Sequence, residues 1–284
     1  RTVIGIIFDE AHLLTHSDMR GINSAIAVIR SRFLKTFIKR GIPILALSAV
    51  VKDIDSIRDW KLFSFRIEKS HWRATRLHKY EVDIGKNILK PIDDLKSMKT
   101  DVSLPVLLRT PRPVKYIHVA KLTRLIMTRE NYSNAIIFCK SRQRTSEVAA
   151  ALTNEFEAVK EEKLGSLKTL VKETLGEDNE LVKFLDHRIA IHHAGLPPII
   201  QNKILEELFR GTIRVVAATT TLSQGINSPV DLVIVLDTTR FKGKKNEFIS
   251  IEEIENMIGR AGRAKYNAEG LALIYGSLEK NPPV

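Results

Sequence analysis

Val3-Ile4-Gly5-Ile6-Ile7-Phe8-Asp9-Glu10-Ala11-His12 is an apolar run that ends in two acids. A short, unbroken apolar segment reads as a strand buried on both faces, the kind that parallel sheets covered by helices contain. Such a strand delivers the residues after it to the carboxyl edge of the sheet, where folds of this type bind ligands. Asp9 is then placed to hold magnesium through water, and Glu10 to orient or deprotonate a water that attacks a γ-phosphate. Asp-Glu after a strand is also a common surface feature, so the pair alone leaves both readings open.

The neighbourhood extends the pattern. Met19, Ile22, Ile26, Ile29, Phe33 and Phe37 recur at steps of three or four and predict a helix, with Arg30, Arg32, Lys35 and Lys39 on its other face and Gly41 as cap. Ile44 to Ser48 reads as the next strand. Leu47-Ser48-Ala49 ends it at the same sheet edge, where the Ser48 hydroxyl either bonds the acidic motif or sits in an ordinary turn. What is missing is equally informative. A nucleotide site of this kind carries a Gly-x-x-x-x-Gly-Lys-Ser/Thr loop upstream of the acidic pair. No such loop occurs in the chain, and only eight residues precede Asp9. The expectation is an incomplete first domain, with an upstream segment or an associated chain supplying the phosphate loop and this chain alone inactive without it. Arg1 in place of Met agrees with a fragment, and with a processed terminus.

Further along, apolar runs alternate with helical patterns, which predicts βαβ units. Strands are expected at Ala135 to Cys139, Arg188 to His192, Ile213 to Ala218, Leu232 to Leu236 and Leu271 to Tyr275. Pro198 to Phe209 is expected to be helical, with proline in its first turn and Gly211 beyond its end. Residues 155–162 and 163–180 read as charged helical surface. Phe63 to Ile84 reads as extended crossing segments, and the prolines at 91, 105, 111 and 113 among lysines suggest a linker. The expected domains are therefore 1–84, a linker or insertion over 85–113, and 114–284.

The 284 residues include 45 Lys and Arg against 33 Asp and Glu, a formal charge of +12 that suits a polyanionic partner. The single cysteine, Cys139, excludes an internal disulfide and lies in an apolar run, as a buried strand residue would. No stretch has the roughly 18 apolar residues of a membrane span. A soluble intracellular protein, cytoplasmic or nuclear and without a membrane partner, is expected.

The strongest single signal is Asn256-Met257-Ile258-Gly259-Arg260-Ala261-Gly262-Arg263, at the end of a helix beginning near Ile251. Arginines three apart lie on one helical face, and glycines permit close approach to phosphate or to an opposing domain. Arginines so placed suit the stabilisation of charge as a phosphoryl group transfers. A solvated basic helix end is the plainer interpretation.

Taken in order, these segments resemble the superfamily-two helicases, and most closely their superkiller-type branch of archaeal repair helicases and exosome RNA helicases. Asp9-Glu10-Ala11-His12 resembles the family's second motif and Leu47-Ser48-Ala49 its third. Ile136 to Arg142 is similar to the fourth, His192-His193-Ala194-Gly195-Leu196 to a pattern typical of the branch, Thr219 to Asn227 to the fifth, and Asn256 to Arg263 to the sixth. Ser70-His71-Trp72-Arg73 resembles the crossing between domains, with His71 and Ala74 where the family has Asp and Pro. Asn256 stands where glutamine is usual, and Val50 where many relatives have threonine.

The resemblance implies tandem RecA-like α/β domains with parallel sheets, the first incomplete here. It implies ATP and Mg2+ as cofactors and single-stranded or partly duplex DNA or RNA as partner, with movement 3′ to 5′. Carried over residue by residue, it gives Asp9, Glu10, Arg260 and Arg263 catalytic roles, with Asp9 holding Mg2+ through water. His12, Ser48, Gly225, Asn227, Asn256 and Gly259 contact nucleotide or couple its state. Ser141, Arg142, His193, Thr219, Thr221, Phe241 and Lys242 contact nucleic acid. Independently, Ser141, Thr219 and Thr221 are short hydroxyl donors at strand ends, suited to backbone phosphates with bases left unread. No cysteine or carboxylate stands at ligand spacing from His192 and His193, which argues against zinc. Arg240 to Lys245 is a basic loop with one aromatic. In relatives this region carries the hairpin that splits the duplex, Phe241 stacking on a base pair while lysines hold phosphate; a disordered surface turn is the alternative. A helicase-like module that binds nucleic acid or a partner protein without hydrolysing ATP is the competing reading of the whole.

Overall fold

In the computed structural model, the described residues are 6–8, 26, 44–47, 66, 68, 76–92, 102–105, 108, 114–159, 164–223, 230–242, 245–262 and 269–276. The chain forms two compact units, Arg1–Trp72 and Arg73–Val284. In the first, β1 (Ile6–Phe8) and β2 (Ile44–Ala46) pair in parallel, Ile6 opposite Ile44 and Phe8 opposite Ala46. Both strands match the expected apolar runs. The amphipathic helix expected over 19–37 lies, apart from helical Ile26, outside the described residues.

The second unit follows as β3 (Arg76–Asp83), β4 (Ile88–Pro91), β5 (Val102–Ser103), α1 (Lys115–Arg129), β6 (Ala135–Cys139), α2 (Arg142–Thr153), α3 (Gly165–Leu175), α4 (Glu180–Asp186), β7 (Ile189–His192), α5 (Pro198–Phe209), β8 (Val215–Thr219), β9 (Leu232–Val235), β10 (Thr239–Lys242), β11 (Lys245–Phe248), α6 (Ile251–Ile258) and β12 (Glu269–Tyr275). Eight of these strands form one sheet in the order β5-β4-β3-β12-β9-β6-β8-β7. From β3 to β7 the neighbours are parallel, while β4 and β5 pair antiparallel at one edge. This is an α/β sheet of the RecA-like kind. Every residue of β6, β7 and β9 is buried, which is why these strands read as unbroken apolar runs rather than alternating ones.

Local chemistry explains the helices that flank them. Buried Val119, Leu122, Ile126 and Met127 give α1 a stripe at helical spacing that packs on the sheet. Ser141 caps α2, its Oγ accepting from the Arg144 amide at 3.2 Å, and Asn179 caps α4 through the Leu181 amide at 3.1 Å. Gly176 beyond α3 and Gly211 beyond α5 adopt φ of 99° and 78°, a conformation costly for residues with a Cβ.

Several expectations change. The extended segment Arg76–Asp83 is a strand of the second unit, paired in parallel with β12, and residues 88–91 and 102–103 of the expected linker complete the same sheet edge. The unit boundary falls at Trp72 and Arg73 rather than near residue 85. Prolines mark this edge because the antiparallel border tolerates them, with Pro91 closing β4 opposite Tyr80. Residues 155–159 form a turn and irregular chain, not helix. The segment expected to be charged helical surface over 163–180 holds α3, whose Leu167 and Val171 are fully buried.

Candidate functional site

Because the strands from β3 to β7 run parallel, their carboxyl ends lie along one edge of the sheet. That edge gathers Ser141 and Arg142 after β6, His193 after β7, and Thr219 with Thr221 at the end of β8. Register places Cys139 opposite Thr219 and His192 opposite Ala218, so the three strands end level. Asp237 joins the edge from β9. Its carboxylate accepts from the Lys140 amide at 3.2 Å and from Lys115 Nζ at 3.3 Å, fixing the chain that leads from β6 into Ser141.

The hydroxyls at this edge are held by local bonds. Ser141 Oγ is engaged as acceptor in the α2 cap, which leaves its O–H as a donor. Thr219 Oγ1 and Thr221 Oγ1 lie 2.9 Å apart. One of them donates to the other, and the second proton points elsewhere. Arg142 opens α2 and lays its guanidinium across Gly195, where a Cβ would come within 2.6 Å of Nη1. Gly195 in turn donates its amide to His193 Nδ1 at 3.1 Å. Burial, and then the Arg142 charge beside it, lower the His193 pKa. With Nδ1 accepting, a neutral His193 carries its proton on Nε2 and offers an uncharged donor. The pairing of Arg142 with Gly195 was not apparent in the sequence, although a glycine in a turn after a strand marks close approach of another group.

His192 differs from its neighbour. It is 5% exposed, and neither ring nitrogen has a hydrogen-bond partner among the described residues. Burial, reinforced by His193, lowers its pKa to about 4. An unfolded histidine near 6.5 binds a proton that the native one refuses, so His192 costs stability as pH falls below about 6.5, and the cost levels off near pH 4. The loss amounts to about 3 kcal/mol at most. Urea unfolding at a series of pH values is therefore expected to show stability declining over this window, and His192→Leu to flatten the decline. An unchanged slope in His192→Leu would exclude His192 as its source.

The segment carrying the arginines is built from main-chain contacts. Ser250 caps α6 by accepting from the Glu253 amide, and Ile254, Met257 and Ile258 bury one face of the helix. Asn256 and Arg260 are half-buried, while Gly259 is exposed where the helix ends. The chain then runs beside Val230, whose amide donates to the Arg260 carbonyl at 2.9 Å and whose carbonyl accepts from Gly262 at 2.8 Å. Gly262 has φ of 102°. From the other side, β12 presses Gly270 against the same backbone, where a Cβ would lie 2.3 Å from the Gly262 nitrogen. Gly270 is thus a supporting residue that sequence reasoning missed; nothing in Glu269-Gly270-Leu271 announces what crosses it.

Phe241 and Lys242 fall on β10, which pairs antiparallel with β11 across Gly243 and Lys244. The segment is a β-hairpin rather than a disordered turn. Register sets Thr239 opposite Phe248, Arg240 opposite Glu247, Phe241 opposite Asn246 and Lys242 opposite Lys245. Asp9, Glu10, His12, Ser48, Gly225, Asn227 and Arg263 lie outside the described residues. Among the described residues no group of His, Cys, Asp and Glu could hold a metal ion, and no helix is long and apolar enough to cross a membrane. The sequence-predicted magnesium residue, Asp9, is not among them.

The family described as "Helicase conserved C-terminal domain" matches residues 117–265, just over half of the chain. Similar proteins include "ATP-dependent DNA helicase Hel308" of Pyrococcus horikoshii, 30% identical over 99% of this chain and 35% of the relative. The protein of the same description from Thermoplasma volcanium is 29% identical over 96% of this chain and 35% of the relative. "DExH-box ATP-dependent RNA helicase DExH13" of Arabidopsis thaliana is 28% identical over 97% of this chain and 12% of its own length. The chain thus spans about a third of the archaeal relatives it matches.

Proposed function

Since the chain belongs to the family of helicase conserved C-terminal domains, of the superfamily-two DExH type, we propose that it is the core segment through which an ATP-dependent helicase moves 3′ to 5′ along single-stranded nucleic acid. The observation that carries this reading is the sheet edge where Ser141, Arg142, His193, Thr219 and Thr221 converge. Short hydroxyls and one neutral imidazole suit successive backbone phosphates, because such donors grip and release without the cost of breaking buried ion pairs. The net charge of +12 supplies the non-specific attraction. The superkiller-type branch is our assignment by motif pattern, with His192 to Leu196 as its main support.

In this reading Asp9, Glu10, Arg260 and Arg263 serve the hydrolysis of nucleotide. ATP is the proposed substrate, and a phosphate loop from an upstream segment or an associated chain would cradle it. Asp9 would hold Mg2+, which would neutralise phosphate charge; Glu10 would orient the attacking water, and the arginines would take up charge that develops on the phosphoryl oxygens. His12, Ser48, Gly225, Asn227, Asn256 and Gly259 line or couple that site. We assign the hairpin of β10 and β11 to the parting of a duplex, with Phe241 stacking on a base pair and Lys242 holding phosphate, a role supported by the family resemblance.

The decisive measurement is ATP hydrolysis by the complete protein with and without matched single-stranded DNA and RNA. We expect stimulation of roughly tenfold or more by at least one of them. We also expect unwinding of duplexes with a 3′ overhang but not a 5′ one. Strand binding without any hydrolysis would overturn the enzyme reading in favour of a helicase-like binding module.

A further inference from the structure

The second unit begins with β3, directly after the boundary at Trp72 and Arg73, and β3 lies between β4 and β12. From the middle of β3, Lys79 Nζ reaches both carboxylate oxygens of Glu255, each at 2.9 Å. The two side chains are 24% and 31% exposed, so the pair is shielded from solvent more than most surface ion pairs are. Glu255 lies on α6, 176 residues away in sequence. Its main-chain carbonyl accepts from Gly259 at 2.8 Å, the residue immediately before Arg260. Glu255 is thus fastened by its side chain to β3 and by its backbone to the point where α6 gives way to the arginine segment.

The buried face of α6, through Ile254, Met257 and Ile258, fixes how deep the helix sits. The main-chain bonds of Arg260 and Gly262 to Val230 hold the far end of this segment, and an ion pair set off to the side of the helix adds a directional restraint on rotation about its axis. We propose that Lys79 and Glu255 are a positioning pair for ATP turnover: they hold the rotation of α6, and thereby Arg260, to the strand with which the second unit begins. A shift in β3 is then felt at Arg260 through one side-chain contact. The inference rests on the reading of Arg260 as a residue that faces nucleotide phosphate.

The test uses the complete protein and five variants: Lys79→Ala, Lys79→Arg, Glu255→Gln, the exchange Lys79→Glu with Glu255→Lys, and Arg260→Ala. Lys79→Ala and Glu255→Gln are expected to lower strand-stimulated kcat roughly tenfold. KM for ATP should stay within about twofold, since the pair is assigned a positioning role and not a nucleotide contact. The thermal midpoint should move by no more than about 2 °C, as befits a partly exposed pair. Lys79→Arg is expected to retain most of kcat and the exchange to recover much of it. Unchanged kcat in both single variants overturns the inference, as does a loss that tracks the thermal midpoint and is rescued by neither Lys79→Arg nor the exchange. If the exchanged protein fails to fold, the contrast between Lys79→Ala and Lys79→Arg decides alone. Full turnover in Arg260→Ala removes the underlying reading and the inference with it. A dead Arg260→Ala beside a fully active Lys79→Ala removes the positioning pair only.

Discussion

Arg260→Ala in the complete protein is expected to lower strand-stimulated ATP hydrolysis about a thousandfold, the lower end of what an arginine aimed at a transferring phosphoryl group contributes. That factor corresponds to about 4 kcal/mol of transition-state stabilisation. The fold should survive the substitution. The main chain at Arg260 is held by its carbonyl bond with Val230, and its neighbour Gly262 by a second bond to the same residue. Neither bond involves the side chain, so alanine keeps both. Binding of single strands without nucleotide should stay within about threefold, because the strand contacts are assigned to Ser141, Arg142, His193, Thr219 and Thr221 and not to Arg260. Steady-state ATPase assays with saturating strand, paired with strand titrations in the absence of nucleotide, give both numbers. Parental turnover in the variant would reduce the arginine segment to a solvated helix end. Arg263→Ala should behave alike.

Glu10→Gln should have an effect of the same order, about a thousandfold on hydrolysis with ATP affinity preserved within a few fold. The amide keeps the shape of the carboxylate and can still touch a water, but it cannot take a proton and carries no charge. Binding of magnesium and phosphates is left largely to other groups. A fluorescent-nucleotide titration alongside single-turnover hydrolysis separates the two quantities. Hydrolysis at the parental rate would dismiss the acidic pair from the chemistry.

Much of the second unit was legible in the sequence because burial on both faces writes itself as composition. Ala135 to Cys139 and Leu232 to Val235 are unbroken apolar runs, and both are fully buried strands. Pro198 and Gly211 bracket α5 for reasons internal to the helix. The placement of Arg76–Asp83 was not legible. Its residues show an extended strand, but its partner Glu269–Tyr275 lies some 190 residues downstream, and no local pattern names a partner at that distance. The hairpin could have been read more firmly, since Gly243-Lys244 between short strands is a two-residue turn signal. For the candidate site the difference is similar. Residue types at strand ends announced the hydroxyls and arginines, whereas the packing of Arg142 on Gly195, and of Gly270 against Gly262, joins segments far apart in the chain. A glycine shows that a Cβ is missing and gives no indication of what occupies the space.

The position of β3 has a mechanical consequence. The chain enters the second unit as an inner strand of its sheet, with β12 alongside it over seven paired positions and β4 on its other flank. Tension arriving through Arg73 and directed along the strand would load these ladder bonds side by side, in shear. A peripheral strand pulled outward gives way one bond at a time, as a zipper does. Under the proposed movement along a strand, the second unit would be anchored by the stronger of these two geometries.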